Sequence, residues 1–258
     1  FEFLVGKIKK LYPTLLIIVL VLLVIIPLWQ KMVDPEIVRS LLLKLTLFFN
    51  FIPGEALAVT GPFWFFSLIF QLYIIFPVLF YLMERYGQKI LYWVSGVCLA
   101  ITILFNDYFV AKDVSLLVLF VGQLPIFCMG IYFASRPVNR LPFALILTAI
   151  FIFAIGNVNR FIWHFSFLAF TLFMLSFLIS IFPILKRSGK IYSFLLFSGS
   201  ISLYLFAVHG VTRIPFEYLS EKYDNSFITT ILSFIYLGGV YLLASFVRAF
   251  DQKVQKVI

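Results

Sequence analysis

Long apolar runs, broken by short polar and basic stretches, occupy almost the whole chain. They fall at 13–30, 63–82, 90–106, 114–134, 141–157, 161–184, 197–216 and 227–248. About 20 apolar residues in a helix cross a bilayer, and these runs are continuous rather than alternating. The pattern predicts an all-α fold, a polytopic transmembrane helical bundle with eight spans in this chain. It argues against a β-barrel. A ninth stretch, 37–52, is interrupted by Arg39 and Lys44. It reads as a re-entrant or interfacial helix rather than a span.

Composition agrees. The chain is 63% hydrophobic and 12% charged, with a mean hydropathy of +1.10, far from a soluble domain. A net charge of +9 would suggest nucleic acid in a soluble protein. Here it marks loops on the cytoplasmic side, and no nucleic-acid partner is expected. With 37–52 not crossing, thirteen of the 20 Lys and Arg fall on one face, among them Lys7, Lys10, Arg136, Arg140, Arg248 and Lys256. The other face takes seven, including Lys31, Arg39 and Lys44, and eight of the 11 acids, including Asp224. This places both termini of the chain in the cytoplasm, with the bacterial inner membrane as the expected location. Trp29, Trp64, Trp93 and Trp163 stand near span ends, as an interfacial belt would. Cys98 and Cys128 lie inside apolar runs and read as small core residues. No Cys/His cluster has metal-ligand spacing, so no metal is expected.

Four stretches carry candidate chemistry. The segment 61–81 runs Gly-Pro-Phe-Trp-Phe-Phe-Ser-Leu-Ile-Phe-Gln-Leu-Tyr-Ile-Ile-Phe-Pro-Val-Leu-Phe-Tyr. Ser67, Gln71 and Tyr73 sit in it, and polar groups in a span face a bundle interior or a substrate path. At the start, Lys7 and Lys10 lie three apart, on one face of a helix, and lead into Leu11-Tyr12-Pro13. Residues 123–130 read Gln-Leu-Pro-Ile-Phe-Cys-Met-Gly, in which Pro125 suits a kink and Gly130 close packing. Residues 199–213 hold Ser200, Ser202, Tyr204, Leu205 and His209 within one apolar run.

Together these stretches resemble the acyltransferase 3 family, membrane enzymes that O-acylate cell-envelope and secreted glycans. The order of Trp64, Phe65, Ser67, Gln71, Tyr73 and Pro77 resembles the family's signature span, although relatives carry acidic residues where Ile69 and Phe70 stand. Lys7 and Lys10 replace the two arginines of a motif that, by the resemblance, engages the acyl-CoA donor. Clustered cations suit a phosphate-rich nucleotide, but lysine lacks the bidentate fork of arginine. An ordinary membrane anchor explains the same lysines equally well. Gln123 and Ile126 stand where the family has a charged pair. His209 matches a late family histidine in a slightly different spacing and is the candidate catalytic residue here, since histidine can serve as a base near neutral pH. A hydrogen-bonded packing histidine is the competing reading and the favoured one, narrowly for His209 and clearly for His164. Likewise Glu55, the lone acid of 50–62, reads as part of a solvated connector or of a loop lining an acceptor site.

The resemblance implies a principal base in a histidine eleven positions after an arginine, in the first transmembrane helix. Neither histidine here has such an arginine, because position 153 is Phe and 198 is Ser. The chain opens on Phe1 and runs at once into the basic stretch at 7–10, which usually follows an earlier membrane segment. The principal base is therefore expected upstream of Phe1. On this reading the chain is a single acyltransferase domain over 1–258, lacking two upstream spans of an expected ten. The expected function is O-acyl transfer, acetyl foremost, from cytoplasmic acetyl-CoA or another acyl-CoA to a glycan or glycolipid hydroxyl. The bilayer, the acyl-CoA and the glycan are the expected partners. Ser67, Gln71 and Tyr73, with Lys7 and Lys10, are the expected substrate contacts. The alternatives are a polysaccharide or lipid-linked-sugar transporter or polymerase, and a membrane partner without catalysis. A transporter would show an internal repeat or more ionisable groups inside its spans, and neither is present.

Overall fold

The computed structural model describes residues 2–30, 34–135, 141–223 and 225–254. Lys31, Arg136, Arg140, Asp224 and Lys256, used above in the charge pattern, lie outside them. The described residues form helices and turns and contain no strand. Two compact units emerge, one built from 1–73 with 196–258 and one from 74–195.

The first unit begins with α1 (Glu2–Gln30). Leu11, Leu15, Ile18, Val19 and Leu22 recur every three or four residues and are buried. They pack against Leu41, Leu47, Phe49, Phe63, Phe66 and Ala207 in one core. Next comes α2 (Pro35–Lys44). Asp34 caps it by accepting the Glu36 N–H at 2.9 Å, and Pro35 suits its first turn. Ten residues make a helix of about 15 Å, half of what a bilayer requires. The chain then turns back through a short 3-10 turn at Phe49–Phe51 and another at Gly61–Phe63. We refer to the stretch 35–63 as the re-entrant segment; it holds one helix too short to cross a bilayer and two 3-10 turns. Leu47 and Val59 in it adopt φ of 61° and 68°. Such left-handed backbone costs roughly 1–3 kcal/mol at a residue with a branched side chain, and persists only where surrounding contacts hold it.

Helix α3 (Trp64–Tyr86) follows and continues past Tyr73 into the second unit. That unit contains α4 (Ile90–Val110), α5 (Phe120–Ser135), α6 (Phe143–Gly156) and α7 (Arg160–Arg187). Asn106 accepts the Leu116 N–H at 3.0 Å and Gln123 donates to the Leu117 carbonyl at 2.7 Å, fixing the turn between α4 and α5. Cys98 and Cys128 are buried and unbridged, as small core residues are. Gly130 has open space around its missing Cβ, so it is not a close-packing glycine. Gly122 is one: a Cβ there would stand 2.5 Å from the Leu116 carbonyl oxygen. Helix α8 (Gly189–Ser200) leads back into the first unit, where α9 (Ser202–Tyr223) and α10 (Ser226–Val254) complete it.

Among the described residues, five helices are long and apolar enough to cross a membrane, and α8 with the first part of α9 makes a sixth if the pair is one span. The pair is bent by 72°. The break falls at Gly199-Ser200-Ile201-Ser202, where the Ser200 hydroxyl donates to the Phe197 carbonyl at 2.7 Å and competes with the helix ladder. The expected continuous span 197–216 is therefore two helices meeting at Ile201. Helices α5 and α6, with 16 and 14 residues, are shorter than the runs that suggested them. Their flanking apolar residues are taken up by caps and turns, which hydropathy alone does not separate from helix. Eight spans are expected from the sequence; among the described residues five runs appear as helices of membrane-crossing length, the run at 197–216 adds a sixth only if its bent pair is one span, and the runs at 114–134 and 141–157 give shorter apolar helices.

Candidate functional site

Lys7, Lys10, Ser67, Gln71, Tyr73 and the late motif through His209 fall in the first unit, while Pro77 and 123–130 fall in the second. Lys7 is half-buried and lies between two rings, 5.2 Å from Phe3 and 5.3 Å from Tyr73. Phe3 and Tyr73 meet edge to face at 6.3 Å. The lysine motif and the signature span are thus in contact, through a cation held against aromatic faces. Lys10 is exposed on the same helix, while Tyr12 packs against the core and Pro13 is buried.

Ser67 and Gln71 are buried on one face of α3, four residues apart. The Ser67 hydroxyl donates to the Leu47 carbonyl at 2.8 Å, and Gln71 Nε2 donates to Ser67 Oγ at 3.0 Å. Asn50 Nδ2 donates to the Trp64 carbonyl at 2.8 Å. These bonds join α3 to the turn of the re-entrant segment. Ser67 spends its one proton on backbone, and the backbone carbonyl it satisfies belongs to the strained Leu47.

Glu55 is not part of a solvated connector. It is 4% exposed. Arg39 Nη2 reaches its Oε1 at 3.1 Å, and Lys44 Nζ lies 3.6 Å from Oε2. Lys44 also donates to the Glu55 carbonyl and sits 4.4 Å from the centre of the Phe49 ring. The Lys44 side chain is fully buried. Burial pushes its ammonium down to about 8, against the opposing charge and hydrogen bond of Glu55. The sequence missed this pair because an acid in a Pro-Gly turn and a lysine in a leucine run look like separate surface features. The signal was present, since Lys44 interrupts 41–49, where a solvated lysine has no reason to be.

The late motif is divided by the bend at Ile201. Ser200 accepts from Arg248 at 2.9 Å. Tyr204 donates to Asp251 at 2.6 Å, and Thr14 donates to the same carboxylate oxygen at 3.2 Å. Asp251 is fully buried, and with Thr14 it ties α1, α9 and α10 together. His209 is half-buried, with Nδ1 2.7 Å from the Phe206 carbonyl. A carbonyl only accepts, so Nδ1 carries the proton and the neutral ring keeps its lone pair on Nε2. His164 makes the same local contact, at 3.2 Å, in the second unit.

The turn that carries His209 abuts the start of the signature helix. Phe206 and Phe65 meet with ring centroids 4.6 Å apart and planes tilted by 52°. A Cβ on Gly210 would lie 2.6 Å from Pro62 Cγ, so only glycine lets α9 approach this closely. From α10, Tyr236 donates to the His209 carbonyl at 3.1 Å. Beside these groups an apolar groove of about 700 Å³ runs along α1, α9 and α10, and Ile37 and Val59 of the re-entrant segment reach it. Its lining is apolar apart from Thr212, whose hydroxyl donates to the Val208 and His209 carbonyls, so it offers no free base.

No curated protein and no solved structure matches the chain. A family model described as an acyltransferase domain matches residues 1–248, across both units. By that match over most of its length, the chain belongs to the acyltransferase 3 family of membrane acyltransferases.

Proposed function

We propose that this acyltransferase moves an acyl group, acetyl foremost, from acyl-CoA to a hydroxyl of a cell-envelope or secreted glycan. The observation that carries the reading is the contact of Lys7 with Tyr73, which brings the donor motif onto the signature helix. A hydroxyl is a weak nucleophile near neutral pH, so a base must take its proton as the oxygen attacks the thioester carbonyl. The tetrahedral oxyanion then collapses, the C–S bond breaks, and the proton ends on the CoA thiolate. Lys7 and Lys10 hold the donor phosphates. Tyr73 positions the donor or the acceptor beside them. Ser67 and Gln71 act one step back, by fixing the wall against which the substrates lie. His209, with its lone pair on Nε2, is the base candidate among these residues.

Replacing both lysines with alanine is expected to weaken acetyl-CoA binding about 10- to 100-fold, the value of one or two charge-assisted phosphate contacts. Calorimetric titration of detergent-solubilised protein measures this, with membrane expression as the control. Unchanged affinity would return Lys7 and Lys10 to the role of an anchor.

The charge pattern further assigns both termini to the cytoplasm of a bacterial inner membrane, and the re-entrant segment to the outer face. Leu57 is 61% exposed on that segment. A cysteine placed there is expected to react with an impermeant maleimide in intact spheroplasts. Labelling only after permeabilisation would reverse the orientation. Position 55 would be a poor reporter, because its side chain is buried.

A further inference from the structure

Glu55 is a nearly buried carboxylate, gripped from α2 by Arg39 and Lys44, and no acyl-transfer step uses it. It belongs to a segment held at three further points. Ser67 binds Leu47, Asn50 binds Trp64, and Pro62 fills the space left by Gly210. Two residues of the same segment, Leu47 and Val59, keep a backbone that only surrounding contacts can impose. The ion pairs close the segment between its two halves, since Arg39 and Lys44 precede the turn and Glu55 follows it. Ile37 and Val59 stand with Ile25 and Ile26 along the groove, whereas Lys7 and Lys10 lie in the first three turns of α1. The clamp is therefore remote from the donor lysines and adjacent to the start of the signature helix and the His209 turn.

We propose that Glu55, with Arg39 and Lys44, forms a positioning clamp for the acceptor half of acyl transfer. It sets the re-entrant segment, and through Pro62 and Trp64 it sets the approach of the acceptor hydroxyl to the His209 turn. The assignment rests on the acyltransferase reading given above, and it deepens that reading by separating acceptor positioning from donor binding. None of the three side chains is a catalytic residue, because none exchanges a proton with substrate.

The test compares Arg39→Gln, Arg39→Lys and Glu55→Gln, each in the full-length gene in its own host. Three quantities are read: protein recovered in the membrane, acetyl-CoA affinity of the purified protein, and alkali-labile acetyl ester in the cell envelope. Arg39→Gln is expected to lower ester content about two- to fivefold, as a half-exposed ion pair would. Glu55→Gln is expected to lower it about tenfold or more, since it leaves the buried ammonium without its carboxylate. Arg39→Lys recovers most of what Arg39→Gln loses. Acetyl-CoA affinity stays within about twofold throughout, which a general loosening of the fold would not allow. Unchanged ester content in both charge-removing variants overturns the proposal, as does acetyl-CoA affinity that falls in step with ester content. If Glu55→Gln is not recovered in the membrane, Arg39→Gln decides, because Arg39 is exposed enough to be removed without unfolding the segment. Failure of the lysine replacements to weaken acetyl-CoA binding would overturn the donor reading, and the ester content would still be read for the clamp.

Discussion

Gly210→Val is expected to be the most damaging single substitution in the first unit. The new Cβ would fall 2.6 Å from Pro62 Cγ and 2.8 Å from its Cδ, and the proline ring has no rotamer to which it can retreat. Either α9 or the 61–63 turn must move. Overpacking of this kind costs about 1–3 kcal/mol. The functional cost should be larger than the stability cost, because the displaced turn carries His209 and the Phe206–Phe65 contact. A shift of about 1 Å at a reacting group can remove a hundredfold in rate. Envelope acetyl ester should fall to background while the protein remains in the membrane, with its thermal midpoint in detergent lowered by several degrees. A Gly210→Val variant with normal ester content would show that α9 and the signature helix need not meet for turnover.

The second large effect concerns the buried pair. Removing one partner of a buried ion pair costs about 3–5 kcal/mol, because the other charge is left without compensation, whereas removing both can be neutral. Glu55→Leu should therefore lower the melting temperature strongly. Lys44→Met added to it should restore most of the loss. The pH dependence adds a separate signature. Lys44 loses its proton near pH 8 in the folded protein and near 10.5 once unfolded. Between those values the unfolded state binds more protons, so stability rises with pH. Below about 8 both states are protonated and the slope vanishes. In Lys44→Met the rise should be absent, and in Glu55→Gln it should begin at lower pH, since Glu55 is what holds the ammonium up. Melting curves from about pH 7 to above 10 would reveal this, and an identical profile for wild type and Lys44→Met would refute the assignment.

Hydropathy found the helices because lipid imposes one simple demand, continuous apolar length. It could not locate the break at Ile201, because a bend depends on which backbone carbonyl Ser200 engages. It could not shorten α6 to 14 residues, because Pro142 and the Asn157 turn are as compatible with a span end as with a cap. Arg39 and Lys44 set 37–52 apart from the apolar runs, since charge inside a span is costly, and the helix found there is ten residues long. The site was legible in its family order but not in its contacts. Ser67 and Gln71 were visible as polar residues in a span, yet nothing local says that their partner is the carbonyl of Leu47, 20 residues earlier. In the charge pattern Asp251 is one of three acids on the cytoplasmic face, yet its bonds to Thr14 and Tyr204 join positions 237 and 47 residues apart. Such pairings come from the packing of α1, α9 and α10, which the hydrophobic pattern of any one helix does not contain.

The bond from Ser67 to Leu47 bears on how this family diverges. A residue that braces backbone is retained for as long as the fold is retained, whatever happens to the chemistry. Members that have lost their base, or changed their acceptor, should therefore keep serine and glutamine at these two places. Deep sequencing of a randomised 61–77 library, sorted once for membrane accumulation and once for ester formation, would then give the same tolerated residues at 67 and 71 in both sorts. Tyr73 should be restricted in the second sort alone.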